Sequence, residues 1–543
     1  MANGARHQDR KPHRKLDWAH CAPAALVLLF ALAMGPRVAA QAIPAAQAIG
    51  SVPATTLYPD PDGCAQPDPK REHAFIVKRV IAPKKEAWQD AHGGQVAAKP
   101  DVKARLSGWP GQLLVDRTTL PTGDEEFLRR LALDTWRGLD ALTDRDHAIP
   151  VDHVRFCGGS LDARRVKIGD YTSGTNIGLY LMAVVGATDL ELIPRDQAVA
   201  TTRRVLETLR SLETYQGFFF NYYDTTSLER TSDFVSFVDS AWLTTGLVVA
   251  RQAFPELWNE TSELIDRQDY ALFYDAKTKL MSHGVTLIDG RPTRSKFHYG
   301  MLYTEARLGN LIAIARGAAP EDTWFAMNRT LPPGTDWQTQ QPHGREKTVR
   351  GHSFYAGTYG WRELRYVPSW GGSLFEALMP VLVLDEHAFA PRSLGRNDEV
   401  HVEIQRLYAE QLGQPVWGMS PSSSPDSIDY QEFGAAPLGT VGYRAGIVTP
   451  HASALALAVA PAVATANLRA IASRYDAYGE FGLYDAVDPA SGAVAHSYLS
   501  LDQAMSFIAL ANHLKDGCVQ KRFAADPIAR AVLPMIGDED FSD

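Results

Sequence analysis

From Thr122 onward, two kinds of apolar pattern alternate along the chain. In the first, large apolar residues recur at helical spacing beside a charged face, as in Leu128, Leu131, Trp136, Leu139 and Leu142. That is the mark of a helix buried along one stripe. It predicts helices over about 124–142, 197–213, 256–272, 320–330, 398–413 and 462–474, with ends uncertain by about two to four residues. The second pattern is apolar nearly all round and covers about 174–188, 233–252, 299–316, 373–385, 449–460 and 498–514, with the same margin. A helix without a polar face belongs inside protein. Thr122-x-x-Glu125 ahead of the first segment has the form of a capping box.

Six amphipathic–apolar pairs are what a ring of six helical hairpins requires, with the apolar helices inside. The expected fold is therefore all-α, an (α/α)6 toroid carrying a short irregular N-terminal extension. A two-layer α-solenoid is the structural alternative, although the spacing is too uneven for a solenoid-type repeat. Inner-to-outer links are short. Outer-to-inner links are long and rich in aromatics, Gly and Asp: 143–173, 214–232, 273–298, 331–372, 414–448 and 475–497. Long loops on a rigid scaffold are where function collects. All six lie where inner helices begin, at the positive ends of their dipoles.

The N-terminus reads differently. Arg10, Lys11, Arg14 and Lys15 precede an apolar core, Ala22 to Met34, and Val38-Ala39-Ala40 supplies a small-residue cleavage site. Residues 1–40 are thus expected to be a signal peptide directing the chain to the periplasm or outside the cell, with no stable membrane span after cleavage. Residues 41–60 have linker composition, and Ala74–Ile81 and Gln112–Val115 are short β-like runs, so 41–120 is taken as linker and extension and 121–535 as the catalytic domain. Of four cysteines, Cys64, Cys157 and Cys518 survive cleavage, enough for one disulfide and one free thiol in an oxidising compartment. Their spacing gives no metal motif, and no cofactor is called for. A net charge of −9 leaves no basic face and argues against a nucleic-acid partner. Nothing in the pattern sets an oligomeric state.

Candidate chemistry is positional. Each inner helix is apolar except near its start, where acids and amides gather: Asp170 with Asn176, Asp239, Glu305, Glu376, Asp426 and Asp429 before His451, and Asp502 with Gln503. Trp370, Trp417, Tyr430 and Tyr484 stand beside them as candidate sugar platforms, since aromatic faces are what sugar rings pack on. The run GMLYTEARLGNLIAIARG (300–317) reads as one helix with Glu305 in its first turns. A carboxyl there costs free energy unless it is paired, hydrogen-bonded or kept for chemistry. Pairing with Arg307 or with another helix is the structural reading. The functional reading is a proton donor at the floor of a sugar cleft, because burial raises a carboxyl pKa toward the range a general acid needs. Asp239 is the first choice of base. Glu376 is assigned a structural or binding role.

Several runs resemble the glucoamylase-like (Glycoamylase) domain family: DYTSGTNIGLYL (170–181), GFFFNYYD (217–224), YTEARL (303–308) followed by IAIARG, WGGSLFEALMP (370–380), VWGMS (416–420), TPHASALA (449–456), YGEFGLYDAVD (478–488) and LDQAM (501–505). That family includes the transglycosylase domain of cyclic β-1,2-glucan synthases and resembles bacterial endo-β-1,2-glucanases, which have (α/α)6 barrels. The resemblance implies that Glu305 matches the family's acid glutamate. It also exposes a departure. Where the synthase domains carry a nucleophilic Glu in W-G-I-S-E-S, this chain reads WGMSPS with Pro421, which cannot attack a sugar. The resemblance therefore implies an inverting hydrolase, with Glu305 acting on the glycosidic oxygen or a relayed hydroxyl, and Asp239, or in reserve Asp426 or Asp429, as base. The expected partner is an oligo- or polysaccharide, a β-1,2-glucan first among them. Two other classes stay open. One is a polysaccharide lyase using Tyr303, His451 and the arginines of 331–368 (Arg345, Arg362 and Arg365, near His343 and His352). The other is a non-catalytic glycan-binding protein on the same fold.

Overall fold

The computed structural model describes residues 102–542, except 111–112, 114–119, 157–160, 162, 164–165 and 426–429. The signal segment, the 74–81 run, Cys64, Cys157, Asp426 and Asp429 lie outside the described residues, as does most of 112–115.

Every predicted helical segment contains helix. The outer set is α1 (Asp124–Ala141), α3 (Arg195–Ser211), α5 (Trp258–Asp266), α7 (Asp322–Ala326), α9 (Leu394–Gln411) and α11 (Pro461–Arg474). The inner set is α2 (Gly174–Asp189), α4 (Phe237–Ala253), α6 (Arg307–Ala315), α8 (Leu374–Leu378), α10 (Pro450–Leu455) and α12 (Ser500–Leu514). Burial separates them as the pattern requires: 14 of the 16 residues of α2 are buried, against seven of 17 in α3. Two further helices, Cys518–Ala525 and Pro527–Ile536, close the described chain.

The inner helices touch in ring order: α2 on α4, α4 on α6, α8 on α10, α10 on α12, and α12 back on α2. Each has an outer partner, α3, α5, α7, α9, α11 and, for α12, α1. The α2–α4 contact is unusually close because glycines meet there. A Cβ on Gly246 would lie 2.3 Å from the Gly178 carbonyl oxygen.

Between α6 and α8 the ring is joined by a side chain. Arg307, fully buried, donates to the carbonyls of Ala377 (2.6 Å), Thr304 (3.0 Å) and Glu376 (3.3 Å), and its Nε and Nη2 bond Glu386 at 2.7 and 2.8 Å. Its guanidinium also sits 4.7 Å from the Tyr303 ring centre, and the Tyr303 hydroxyl donates to buried Asp398. Farther out, Arg329 pairs with Glu539 of the C-terminal tail (Nε–Oε2 2.9 Å), which also accepts from the Trp324 indole.

Three expectations need correction. First, the long connections are not loops throughout. They carry short antiparallel sheets: 153–156 with 166–169 and 497–499; 234–236 with 284–288 and 291–294; and His343–Val349, His352–Trp361 and Leu364–Tyr366. The chain is a helical ring with strands in its connections rather than purely all-α. Second, Gly300–Gly317 is not one helix. Met301 bridges to Asn328 and the Leu302 amide donates to the Asn328 carbonyl, so helix starts only at Arg307 and Glu305 lies in the turn before it. Third, Thr122 and Glu125 form no capping box. Gly123 is the N-cap, and Arg469 takes the carbonyls of Pro121 and Thr122, each at 2.8 Å, and of Gly123.

Removing Glu386 should leave Arg307 as a buried cation without its carboxylate. Glu386→Ala is expected to cost about 3–5 kcal/mol, read as an earlier midpoint in urea denaturation. An unchanged midpoint would contradict the closing role given to this pair.

Candidate active site

Glu305 is 1% exposed, and both its carboxyl oxygens are buried without a hydrogen-bond partner. The ion pair that would explain it structurally is absent, because Arg307 is turned to Glu386 and the ring carbonyls. Burial first, and then the charge of Glu376, push the Glu305 carboxyl up to about 8. At neutral pH it holds its proton.

Asp239 stands in the first turn of α4, where Ser236 caps the helix by accepting from the Asp239 amide at 3.3 Å. Its Oδ1 accepts from Thr175 at 2.6 Å, while Oδ2 is buried without a partner. Burial raises this carboxyl to about 6, with the Thr175 and Ser236 hydrogen bonds holding it down. The charges of Glu305 and Asp239 both bear on the phenol of Tyr299, which is buried near both acids.

Glu376 is differently placed. It accepts from Ser369 Oγ (2.9 Å) and the amides of Gly371 (3.0 and 3.1 Å) and Ser373 (3.2 Å), and Ser373 returns a cap to the Glu376 amide. This capping box fixes the 369–373 turn. Tyr443 packs on that turn so tightly that a Cβ on Gly371 would lie 2.0 Å from its ring. Glu376, Glu432 and Glu305 all raise the Tyr443 phenol after burial itself. Glu432, half-buried beside Glu376, is pushed up to about 7, mainly by burial.

A second acid group lies across the ring. Asp502 Oδ2 is 3.5 Å from His451 Nδ1, and burial and the neighbouring Asp485 raise the Asp502 carboxyl well above the usual range. Burial holds His451 down near 3, so the imidazole is neutral. A cavity of about 10 Å³, lined by His451, Asp485, Asp502 and Gln503 among others, has room for roughly one water. Gln503 also donates to the Leu483 carbonyl at 3.1 Å.

The remaining sequence candidates divide. Trp370 and half-buried Tyr430 pack together with Met301, Leu331 and Tyr443, and the Tyr430 phenol feels Asp502, Asp485, Glu432 and Asp152. They belong to the acid-lined region. Asp170 is half-buried, its carbonyl accepting from Thr225, and Asn176 donates to Asp152 at 3.1 Å. Trp417 lies in the main core, its backbone clamped by Asn467 of the outer helix α11. Tyr484, 1% exposed, is enclosed by Phe156, His496 and Tyr498 and offers no open face. Tyr303 is committed to Asp398. Sequence reasoning missed Glu432, Tyr299, Tyr443 and Asp152. Glu432 could have been found from its place two residues after Tyr430. Tyr299, Tyr443 and Asp152 stand in connections with no periodicity to mark them.

Among the described residues no group of three His, Cys, Asp or Glu side chains could hold a metal ion, and no helix is long and apolar enough to cross a membrane. Cys518 is a buried free thiol.

Comparison with known proteins bears on the sequence and the fold. Residues 352–527 match the model of the Glycoamylase family, described as "putative glucoamylase". The chain is 28% identical over 297 residues to the cyclic beta-(1,2)-glucan synthase NdvB of Rhizobium meliloti, covering 52% of this chain but only 9% of that much longer protein. In fold it is similar to the endo-beta-1,2-glucanase of Chitinophaga pinensis, solved with sophorotriose and glucose (TM-score 0.57, 15% identity, 77% of this chain and 99% of that one). It is also similar to that of Talaromyces funiculosus, solved with sophorose (TM-score 0.60, 12% identity, 78% and 91%). The likeness to the glucoamylase-like family thus holds in sequence and in fold.

The raised Glu305 carboxyl has a stability signature. Folding favours its protonated form, so its contribution is fully present below the unfolded value near 4.5 and is lost as pH rises through about 8. Glu305→Gln abolishes that loss. The variant should therefore gain stability on the parent between pH 5 and pH 8, by on the order of 1.4 kcal/mol per pH unit, in denaturation midpoints measured across that range. A parallel pH dependence in the two proteins would contradict the raised carboxyl.

Proposed function

We propose that the protein is an exported glycoside hydrolase that cleaves a β-glucan, β-1,2-glucan first among candidates, with inversion of configuration. The observation that carries this reading is the Glu305 carboxyl: buried, protonated at neutral pH and in no ion pair. An inverting glycosidase needs one such acid and one ionised carboxylate that activates water. Asp239 serves as the base, with one oxygen oriented by Thr175 and the other unengaged. Asp426 and Asp429 are held in reserve. Glu305 gives its proton to the glycosidic oxygen directly or through a sugar hydroxyl. The endo-beta-1,2-glucanases similar in fold, and the cyclic beta-(1,2)-glucan synthase similar in sequence, support the choice of glucan.

In this reading the ring is an (α/α)6 toroid spanning 121–535, residues 1–40 are a signal peptide, 41–120 are linker and extension, and the protein works in the periplasm or outside the cell. The candidate substrate-binding residues are Asp170, Glu376, Trp370, Asp426, Asp429, Tyr430, Asp502 and Gln503; Trp417 and Tyr484, enclosed in the core, drop out of that set. Pro421 stands where a retaining relative would hold its nucleophile, which leaves water as the attacking group. Both Glu305 oxygens are closed to solvent.

Reducing-sugar release from β-1,2-glucan is the first expected result. NMR of the first product should show the inverted α-anomer, and a β-anomer would refute the mechanism. Glu305→Gln should lower kcat by about 10²–10⁴. The pH profile should be bell-shaped: activity falls below about 6 as Asp239 takes up a proton and above about 8 as Glu305 loses one. A new UV-absorbing double bond in the product would instead select a lyase. Glucan binding without turnover would select a binding protein.

A further inference from the structure

Resting on the hydrolase reading and extending it, we propose that Trp337 is a sugar-stacking platform of the cleft that takes a distal glucosyl ring of a chain bound at Glu305. The indole is 44% exposed, yet the loop that carries it is fixed. Gln338, the next residue, is buried, accepts from the Tyr359 hydroxyl at 2.5 Å and donates to the Pro332 carbonyl at 3.1 Å. Thr339 donates to the Thr440 carbonyl through its amide and to Gly439 through its hydroxyl, both at 2.7 Å. Gln340 donates to the Tyr366 hydroxyl and to the Pro437 carbonyl. A large apolar ring is thus held in water on a pinned segment.

Its position gives that arrangement a use. The Trp337 ring centre is 5.8 Å from that of Trp370, at an interplanar angle of 50°. Trp370 packs with Leu331, Met301, Tyr430 and Tyr443 and is buried at 6% exposure, and Trp337 stands outside that cluster, against its rim. Tyr443 in turn lies within electrostatic reach of Glu305 and Glu376. From the acid outward, an aromatic series runs from half-buried Tyr443 through buried Trp370 to Trp337, the one of the three that is exposed. The C–H face of a pyranose is what such a face binds, while the polar groups of the sugar remain in water. The platform should be felt only by chains long enough to reach it.

Calorimetric binding of β-1,2-gluco-oligosaccharides of graded length to the full chain tests this, using Glu305→Gln to prevent turnover. Long chains should bind Glu305→Gln about threefold to tenfold more tightly than they bind Glu305→Gln with Trp337→Ala, and short chains equally to both. Trp337→Phe should restore most of the difference. Trp337 is exposed, so its replacement leaves the core in place, and equal melting temperatures for the two proteins check it. If long chains bind both variants equally, the platform is refuted while the hydrolase reading stands. If no glucan binds the Glu305→Gln protein at any length, the glucan reading itself falls and the platform with it.

Discussion

The fold and the candidate site both depend on where one guanidinium points. Arg307 stands two residues after Glu305, close enough in sequence to neutralise it. Instead it turns toward Glu386 and the end of α8, where it joins two inner helices that touch each other least. Pairing a buried cation with a carboxylate and three carbonyls avoids the penalty that an unpaired charge would carry. Because that cation is fully committed, the carboxyl beside it is left without an ion pair, and the pull of the guanidinium is weaker than the effect of burial. The carboxyl therefore answers burial in the only way left, by keeping its proton.

That division of labour extends round the ring. Glu376 and Asp398 resemble Glu305 in burial but are tied by hydrogen bonds to Ser369, Gly371 and Ser373, or to Tyr303. They hold turns and helices in place. Glu305 and one oxygen of Asp239 are left over after the structural demands are met, as are Asp502 and one oxygen of Asp485 beside His451. Polar groups that a fold buries and does not use are the reasonable place to look for chemistry. The raised values of the two acids lie on either side of neutrality, one about 8 and the other about 6, which separates a donor from an acceptor without any further device.

Much of this was legible in the sequence. Periodicity located both sets of helices, because an all-apolar segment such as 174–188 has no other place to go than the interior. The position of acids at the starts of inner segments pointed to Glu305, Asp239 and Asp502. What periodicity missed has physical reasons. The run 300–317 has helical composition throughout, but backbone pairing of Met301 and Leu302 with Asn328 overrides local propensity for its first half. The hairpin 343–361 reads as a solvated loop because both of its faces carry polar residues, and only the tight turn at Arg350 and Gly351, both at positive φ, betrays it. Tyr484 and Trp417 were read as sugar platforms from their residue type, and nothing in a sequence distinguishes an aromatic packed in the core from one at a rim.

The turn at Gly371 limits how this part of the chain can diversify. Tyr443 occupies the space that any side chain there would need, and the neighbouring Gly372 adopts a left-handed backbone at φ 84°. Even alanine would displace the tyrosine from the capping carboxylate, so this stretch is closed to ordinary drift. Change in this region would have to come in the surrounding connections, whose lengths and compositions can vary while the glycine pair stays fixed.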